Sequence, residues 1–155
     1  MPEIYVDGDA CPVKDEVLRV ATRHGLRVHF VGNTWLRVGG GGDNPLINRV
    51  VVGEGLDAAD DWIAEHITSA DIAVTADIPL AARCLEKGAR VIGHTGRPFT
   101  ESGIGNALAM RELMAHLRDS GEIRGGGPAF SARDRSNFLQ ALENAVQAAL
   151  RARGP

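Results

Sequence analysis

Short apolar runs alternate with amphipathic stretches along the first two thirds of the chain. Such runs, rich in β-branched residues and bounded by glycine or polar residues, are typical of buried parallel strands. The five predicted strands cover residues 4–6, 27–31, 49–52, 71–75 and 90–93. Between them, apolar residues recur at spacings of three and four, which predicts helices that cover the sheet.

Prolines and glycines mark the ends of two of these helices. The first is expected to begin just after Pro12 and to end at Gly25, and the helix after the fourth strand to begin near Pro79 and to end at Gly88. Proline is tolerated in the first turn of a helix because its missing N–H has no partner there, and glycine readily ends a helix. The strand–helix–strand order predicts right-handed crossovers.

The last third of the chain has a different pattern, because no strand is indicated after His94. Helices are predicted over 104–117 and 131–150, and their Leu, Met and Phe stripes are expected to be core. Ser131 and Asp134 form the start of a capping box, with Asp in place of the usual Glu. Glycine-rich segments at 39–42 and 121–128 are expected to be loops.

These elements predict one α/β domain over residues 1–155, with a helical C-terminal part from about residue 100. The expected architecture is a three-layer α/β/α sandwich around a mainly parallel sheet of about five strands, plus two C-terminal helices. The chain has no run of about 18 apolar residues, which a membrane-spanning helix would need. Its start also lacks the basic segment followed by an apolar segment that is typical of a signal peptide. We therefore expect a cytoplasmic protein without a membrane partner. Only Cys11 and Cys84 are present, which excludes a disulfide scaffold and a four-cysteine zinc site.

Charge is unevenly distributed along the chain. Its net charge of −3 argues against a strongly basic nucleic-acid binder, but residues 1–96 hold 9 Lys and Arg against 14 Asp and Glu, whereas residues 97–155 hold 8 against 6. A contact with RNA or another nucleic acid is therefore expected from the C-terminal third. The candidate residues are Arg111, Arg118, Arg133 and Arg135. The alternative is that these arginines only decorate solvated helix faces.

Aspartates follow two of the predicted strands and crowd one helix start. Asp7 and Asp9 come after the first strand, Asp77 comes after the fourth, and the middle helix opens with Asp57, Asp60 and Asp61. Because the carboxyl ends of parallel strands form one edge of a sheet, five of these side chains are expected to converge there: Asp7, Asp9, Asp57, Asp60 and Asp77. The alternative for Asp57 and Asp77 is helix capping, which can coexist with a second role because a carboxylate has two oxygens.

Such a cluster favours a divalent cation. Two carboxylates about 5 Å apart repel by roughly 3 kcal/mol at an effective dielectric of 20. Oxygen-only ligands suit Mg²⁺ or Mn²⁺, and these ions engage phosphate substrates. The predicted metal ligands are Asp7, Asp9, Asp57, Asp60 and Asp77, and the predicted catalytic residues are Asp7, Asp9, Asp60, Asp77 and Lys14.

In this hypothesis the protein is a metal-dependent nuclease, and RNA is the substrate that we expect. Asp9 or Asp60 would orient or deprotonate the attacking water, and Lys14 would neutralise a phosphate oxygen. Lys14 can equally be a solvated lysine that pairs with Asp15 or Glu16. Two other functions stay open: a phosphohydrolase of the haloacid-dehalogenase type, in which Asp7 is the nucleophile, and a non-catalytic module that binds nucleic acid or protein.

The motifs together resemble the bacterial YaiI/YqxD family of uncharacterised proteins. The residues that carry the resemblance are 7–14 (DGDACPVK), 55–60 (GLDAAD), 74–81 (VTADIPLA), and the stretch from 126–128 (GGP) to 133–135 (RDR). That family is similar to PIN-like nuclease folds, which implies an α/β/α sandwich with an acidic metal cleft. Carried over to this chain, the resemblance implies a site made of Asp7 with Asp9 beside it, Asp60 or Asp57, and Asp77.

Overall fold

Strands and helices alternate through most of the chain in the computed structural model. It describes residues 1–8, 11–33, 44–53, 55, 57–119 and 130–152, with the backbone alone at position 118. The strands are β1 (Ile4–Asp7), β2 (Val28–Gly32), β3 (Ile47–Val51), β4 (Ile72–Val74), β5 (Arg90–Ile92) and β6 (Pro98–Phe99). The helices are α1 (Lys14–His24), α2 (Ala58–His66), α3 (Ile78–Glu86), α4 (Glu101–Asp119) and α5 (Ala132–Ala152).

These six strands form one sheet in the order β3-β2-β1-β4-β5-β6. The first five strands are parallel and β6 pairs antiparallel with β5. The expected α/β class with a mainly parallel sheet is therefore confirmed. In this order the chain adds β2 and β3 on one side of β1 and then crosses to add β4 on the other. The carboxyl ends of β1 and β4 thus flank a topological switch point, where open α/β sheets bind their ligands.

Two apolar layers hold helices on both faces of the sheet. Strand side chains such as Ile4 and Val6 pack with α1 and with Phe138 and Leu142 of α5 on one face. The alternating residue Tyr5 belongs to the other face, which α2 and α3 cover. The three-layer sandwich expected from the sequence is present, and α4 packs against α3 at its margin.

Local signals ended the helices where the sequence indicated. Gly25 closes α1 in the left-handed conformation at φ 67°, and its N–H bonds to the last turn. Ser131 and Asp134 form the predicted capping box, in which each backbone N–H donates to the other residue's side chain at 3.0 and 3.1 Å. Each of these ends depends on a residue within the same turn, so a sequence pattern can predict it.

Two expectations about the C-terminal third were wrong. A further strand does follow His94, since the two-residue β6 pairs with β5. A strand of two residues is too short to show an alternating pattern of apolar and polar positions. Pro98 is tolerated in β6 because an edge strand can do without a backbone N–H on its outer side. The apolar stripe of α4 is not core: Met110 is 56% exposed and Leu113 is 50% exposed. α4 contacts the rest of the described fold mainly through α3, and this leaves its stripe facing outward.

Several sequence predictions lie outside the described residues. They are Asp9, the glycine-rich segments 39–42 and 121–128, and the side chain of Arg118. None of the described helices is both long and apolar enough to cross a membrane.

Candidate functional site at the carboxyl edge of the sheet

Asp7 and Asp77 flank the switch point between β1 and β4. Asp7 is the last residue of β1, and Asp77 is the residue before α3, three positions after the end of β4. Side chains alternate along a strand, so Asp7 lies on the same face as Tyr5, the face that α2 and α3 cover. The fold therefore directs Asp7 toward the helices that carry the other candidate acids.

The buried hydroxyl of Thr75 joins these two positions. Thr75 Oγ1 donates a hydrogen bond to Asp7 Oδ2 at 3.1 Å and accepts one from the backbone N–H of Asp77 at 2.9 Å. Thr75 is completely buried. Since it has a single rotatable hydroxyl with both bonding roles filled, it holds the end of β1 and the start of α3 in a fixed relation.

Asp77 caps α3, as one of the two sequence hypotheses predicted. Its Oδ1 accepts a hydrogen bond from the backbone N–H of Leu80 at 3.0 Å, and Pro79 lies in the first turn. The cap engages one of the two carboxylate oxygens. Its role as a metal ligand stays a prediction, and the cap is compatible with it.

The three acids at the start of α2 have different surroundings. Asp60 is partly buried, whereas Asp57 and Asp61 are exposed. Asp57 occupies the N-cap position but makes no side-chain capping bond. Asp61 pairs with Arg83 of α3 at 2.7 Å, with both side chains largely in solvent. Asp60 is therefore the least exposed of the three.

Asp60 experiences the charges of the other candidate acids. Burial and nearby negative charges raise its pKa to about 6. Those charges are, in decreasing order of effect, the carboxylates of Asp77, Asp7 and Asp57, and Arg83 opposes them. The charges of acids from three separate segments therefore act on Asp60.

The donor set suits a hard cation in kind but is incomplete among the described residues. Carboxylates of Asp7, Asp60 and Asp77 offer only oxygen, the ligand type that Mg²⁺ and Mn²⁺ prefer. However, no three His, Cys, Asp or Glu side chains in the described ranges come close enough to hold a metal ion. A cation here would need Asp9 or several waters to complete its shell, and Mg²⁺ usually keeps several waters.

Lys14 supplies a positive charge beside the acidic edge. It is the first residue of α1, and its Nζ lies 3.5 Å from the carbonyl oxygen of Cys11. Its charge also acts on His94: burial and, after it, the positive charge of Lys14 lower the pKa of that imidazole. The Cys11 thiol does not suit nucleophilic attack: burial, more than any other effect, raises its pKa.

Comparison with known proteins decides the family. The profile of a family described as "Uncharacterized BCR, YaiI/YqxD family" matches residues 5–148. The chain belongs to the YaiI/YqxD family. A relative from Parvibaculum lavamentivorans, named "UPF0178 protein", is 61% identical over 100% of this chain and 99% of its own length. A UPF0178 protein from Rhodospirillum rubrum is 56% identical over 97% of this chain and 99% of its own length. No solved structure matches the chain, so the similarity to PIN-like folds stays an expectation.

The predicted arginine surface of this YaiI/YqxD protein is divided between two helices. Arg111 is exposed on α4, and Arg133 is exposed in the first turn of α5. Arg135 instead ties α5 to α1, because its Nη1 donates to both carboxylate oxygens of Glu16, at 2.8 and 3.1 Å, and to the Pro12 carbonyl at 3.1 Å. Its guanidinium also lies 5.0 Å from the centre of the Phe130 ring. A role of these arginines in RNA contact stays a prediction.

Sequence reasoning about this family member overlooked Thr75. The signal was present, because a Thr two residues before an Asp that precedes a helical proline is suited to bond the backbone of that Asp. What the sequence could not show is the second bond, to Asp7, which lies 68 positions away in the chain.

Proposed function

We propose that this protein hydrolyses phosphodiester bonds of nucleic acid, with RNA as the first candidate, at the carboxyl edge formed by Asp7, Asp60 and Asp77. One observation carries the proposal. The Thr75 hydroxyl bridges Asp7 to the start of α3 at the switch point, which is where open α/β sheets bind their ligands.

The accumulated charge supports a cation as part of this site. The three acids lie close enough for Asp7 and Asp77 to raise the pKa of Asp60. A fold that keeps like charges together gains stability from a counter-ion, and oxygen ligands select Mg²⁺ or Mn²⁺. When bound, such an ion would activate water and stabilise charge on a phosphate.

The chain's own residues have separate roles in this proposal. Asp7 and Asp77 would hold the cation, and Asp9, two positions after Asp7 in the chain, would be a further ligand. Asp60 orients the attacking water by accepting a hydrogen bond from it. Lys14 neutralises a non-bridging phosphate oxygen, while Arg133 and Arg111 contact the phosphate backbone farther along the strand.

Cleavage of labelled RNA and DNA with Mn²⁺ or Mg²⁺ tests the proposal. The variants Asp7→Asn and Asp77→Asn remove charge but keep shape, and Asn at position 77 can still cap α3. We expect each to lower the rate by about 100-fold or more, the scale of losing one electrostatic contact in a catalytic site. Asp61→Asn is the matched control, because that acid points to Arg83, and it should cleave like the native protein.

Other outcomes would redirect the assignment. Absence of cleavage with every metal, or equal activity in all variants, contradicts the nuclease proposal. A fluoroberyllate adduct at Asp7 would support the phosphohydrolase function instead. Metal-dependent binding of RNA without turnover would support the non-catalytic module.

A further inference from the structure

A pocket of about 560 Å³ opens next to the acidic edge. Pro12 and Ala76 stand in its wall where it meets that edge. Pro12 lies in the turn between Asp7 and Lys14, and Ala76 separates Thr75 from Asp77. A phosphate that Lys14 and a cation on the acids would hold therefore lies at the mouth of this pocket. The volume falls within the roughly 300–1,000 Å³ that is usual for small-molecule sites.

The inner walls combine flat apolar faces with a few polar groups. The aromatic rings are Phe99 and Phe130, and the polar groups include His94, Arg97 and Asp134. Aromatic side chains of this kind stack nucleobases, and each such contact is worth about 1–3 kcal/mol. The pocket therefore has the composition expected for a planar heteroaromatic group with a polar edge.

His94 favours a neutral ligand edge over an anion. Its ring Nε2 is buried and has no hydrogen-bond partner among the residues that the structure describes. Burial and, after it, the Lys14 charge lower the pKa of His94, which favours the neutral imidazole. A neutral ring nitrogen suits the uncharged polar edge of a base better than the charged oxygens of a phosphate.

We propose that this pocket receives an unpaired nucleobase next to the scissile phosphate, so that the substrate is single-stranded nucleic acid. The inference rests on the proposed nuclease function and deepens it. A base stacked within a duplex cannot enter a pocket, whereas the bases of single strands can be splayed out and stacked on aromatic side chains. Phe130, which lines the pocket and carries the Arg135 guanidinium 5.0 Å from the centre of its ring on one face, supplies aromatic surface. Lys14 supplies the charge at the mouth.

Binding in EDTA separates this inference from catalysis. The probe is a short single-stranded RNA with one 2-aminopurine, whose fluorescence changes when the base stacks, and the same strand annealed to its complement is the comparison. Ala107→Leu tests the pocket by filling it, since Ala107 lines it from α4. Ala109→Leu is the matched control: the same change, on the same helix, at an exposed position outside the pocket. Leucine is well tolerated in helices.

We expect Ala107→Leu and Phe130→Leu to weaken single-strand binding about 5- to 100-fold, the range that corresponds to one stacking contact. Ala109→Leu should bind like the native protein, and the duplex should bind more weakly than the single strand. Thermal unfolding of each variant shows whether it is folded. Because Ala107→Leu removes no contact, it keeps the test valid if Phe130→Leu unfolds.

The outcomes distinguish the two proposals. Pocket-dependent binding without cleavage by the native protein in Mn²⁺ would overturn the nuclease function and leave the base pocket standing. Cleavage that Ala107→Leu and Phe130→Leu leave unchanged, together with unchanged binding, would overturn the pocket and leave the nuclease standing. Equal affinity for single strand and duplex would also overturn it.

Discussion

Replacing Asp60 with asparagine should make the metal-free protein more stable. Burial, and after it the nearby carboxylates of Asp77, Asp7 and Asp57, raise the pKa of Asp60 to about 6. The negative charge at this position therefore opposes folding at neutral pH. Asparagine keeps the shape of the side chain and removes the charge.

The size of the effect follows from the pKa. Each unit of pKa difference corresponds to about 1.4 kcal/mol. Water screens the charge of a partly exposed carboxylate, so we reduce the full value by more than half and expect a gain of about 1 kcal/mol at pH 7. For a domain of this size, that gain raises Tm by roughly 2–4 °C.

The gain should depend on pH in one direction. Because the pKa in the folded state lies above the ordinary value of 3.8, protonated Asp60 costs nothing below about pH 4. The penalty then develops as the pH rises and is complete above about pH 6. The stability difference between Asp60→Asn and the native protein should therefore be near zero at about pH 4 and reach its full value by pH 7.

Urea unfolding in EDTA at these two pH values is the measurement, and Asp61→Asn is the control. Asp61 forms an exposed ion pair with Arg83, so its loss should cost up to about 1 kcal/mol at pH 7. The same substitution at adjacent positions should thus act in opposite directions. An Asp60→Asn protein that is no more stable than native at pH 7, or equally stabilised at pH 4, would refute the like-charge reasoning.

Mg²⁺ at 100 times its Kd should raise the free energy of unfolding of the native protein by about 2.7 kcal/mol. The same Mg²⁺ concentration should raise that of Asp60→Asn by less.

Substitutions in three regions test the surrounding framework. Thr75→Val removes the buried hydroxyl but keeps the shape of the side chain. We expect it to lower the free energy of unfolding in urea by about 1–3 kcal/mol and the cleavage rate by about 10- to 100-fold. Thr75→Ser, which keeps a hydroxyl, should retain most of both. Gly96→Ala should lower the free energy of unfolding by about 2 kcal/mol or more in the same assay. Gly96 has φ +90°, and an added Cβ would lie 2.6 Å from a backbone oxygen of α5. An unchanged free energy of unfolding would contradict this geometry. Leu142→Ala should cost about 2–5 kcal/mol, whereas Leu113→Ala, at an exposed position, should stay within about 0.5 kcal/mol, and similar losses for both would mean that α4 is covered in solution.

The sequence predicted those parts of the fold that depend on neighbouring residues. The first five strands are short apolar runs, and the boundaries of α1 and α5 depend on residues within one turn, such as Gly25 and Ser131. The α4 stripe shows where this reasoning ends. α4 and α5 both carry apolar residues at helical spacing, but Leu142 is fully buried and Leu113 is half exposed. A periodic pattern shows that a helix has an apolar face, and only the tertiary fold determines whether another element covers it.

In the candidate site as well, the sequence pattern indicates where the acidic residues are, and the tertiary fold determines how each side chain is oriented. Asp60 and Asp61 are identical and adjacent, yet one contributes to the acidic edge and the other pairs with Arg83. Successive residues on a helix differ in direction by about 100°, so the rotation of α2 against the sheet decides which acid points inward. Charge pattern alone could therefore find the group of acids but could not rank its members.

Thr75 extends this argument to residues without charge. An acidic edge needs groups that hold like charges in place, and a hydroxyl can do so because it donates to one carboxylate while it accepts from the backbone of the next segment. Such a residue looks like an ordinary strand end in the sequence. Its partners are two and 68 positions away, so only the parallel pairing of β1 with β4 brings all three together. The acidic edge is therefore a product of the crossover at the switch point rather than of any single motif.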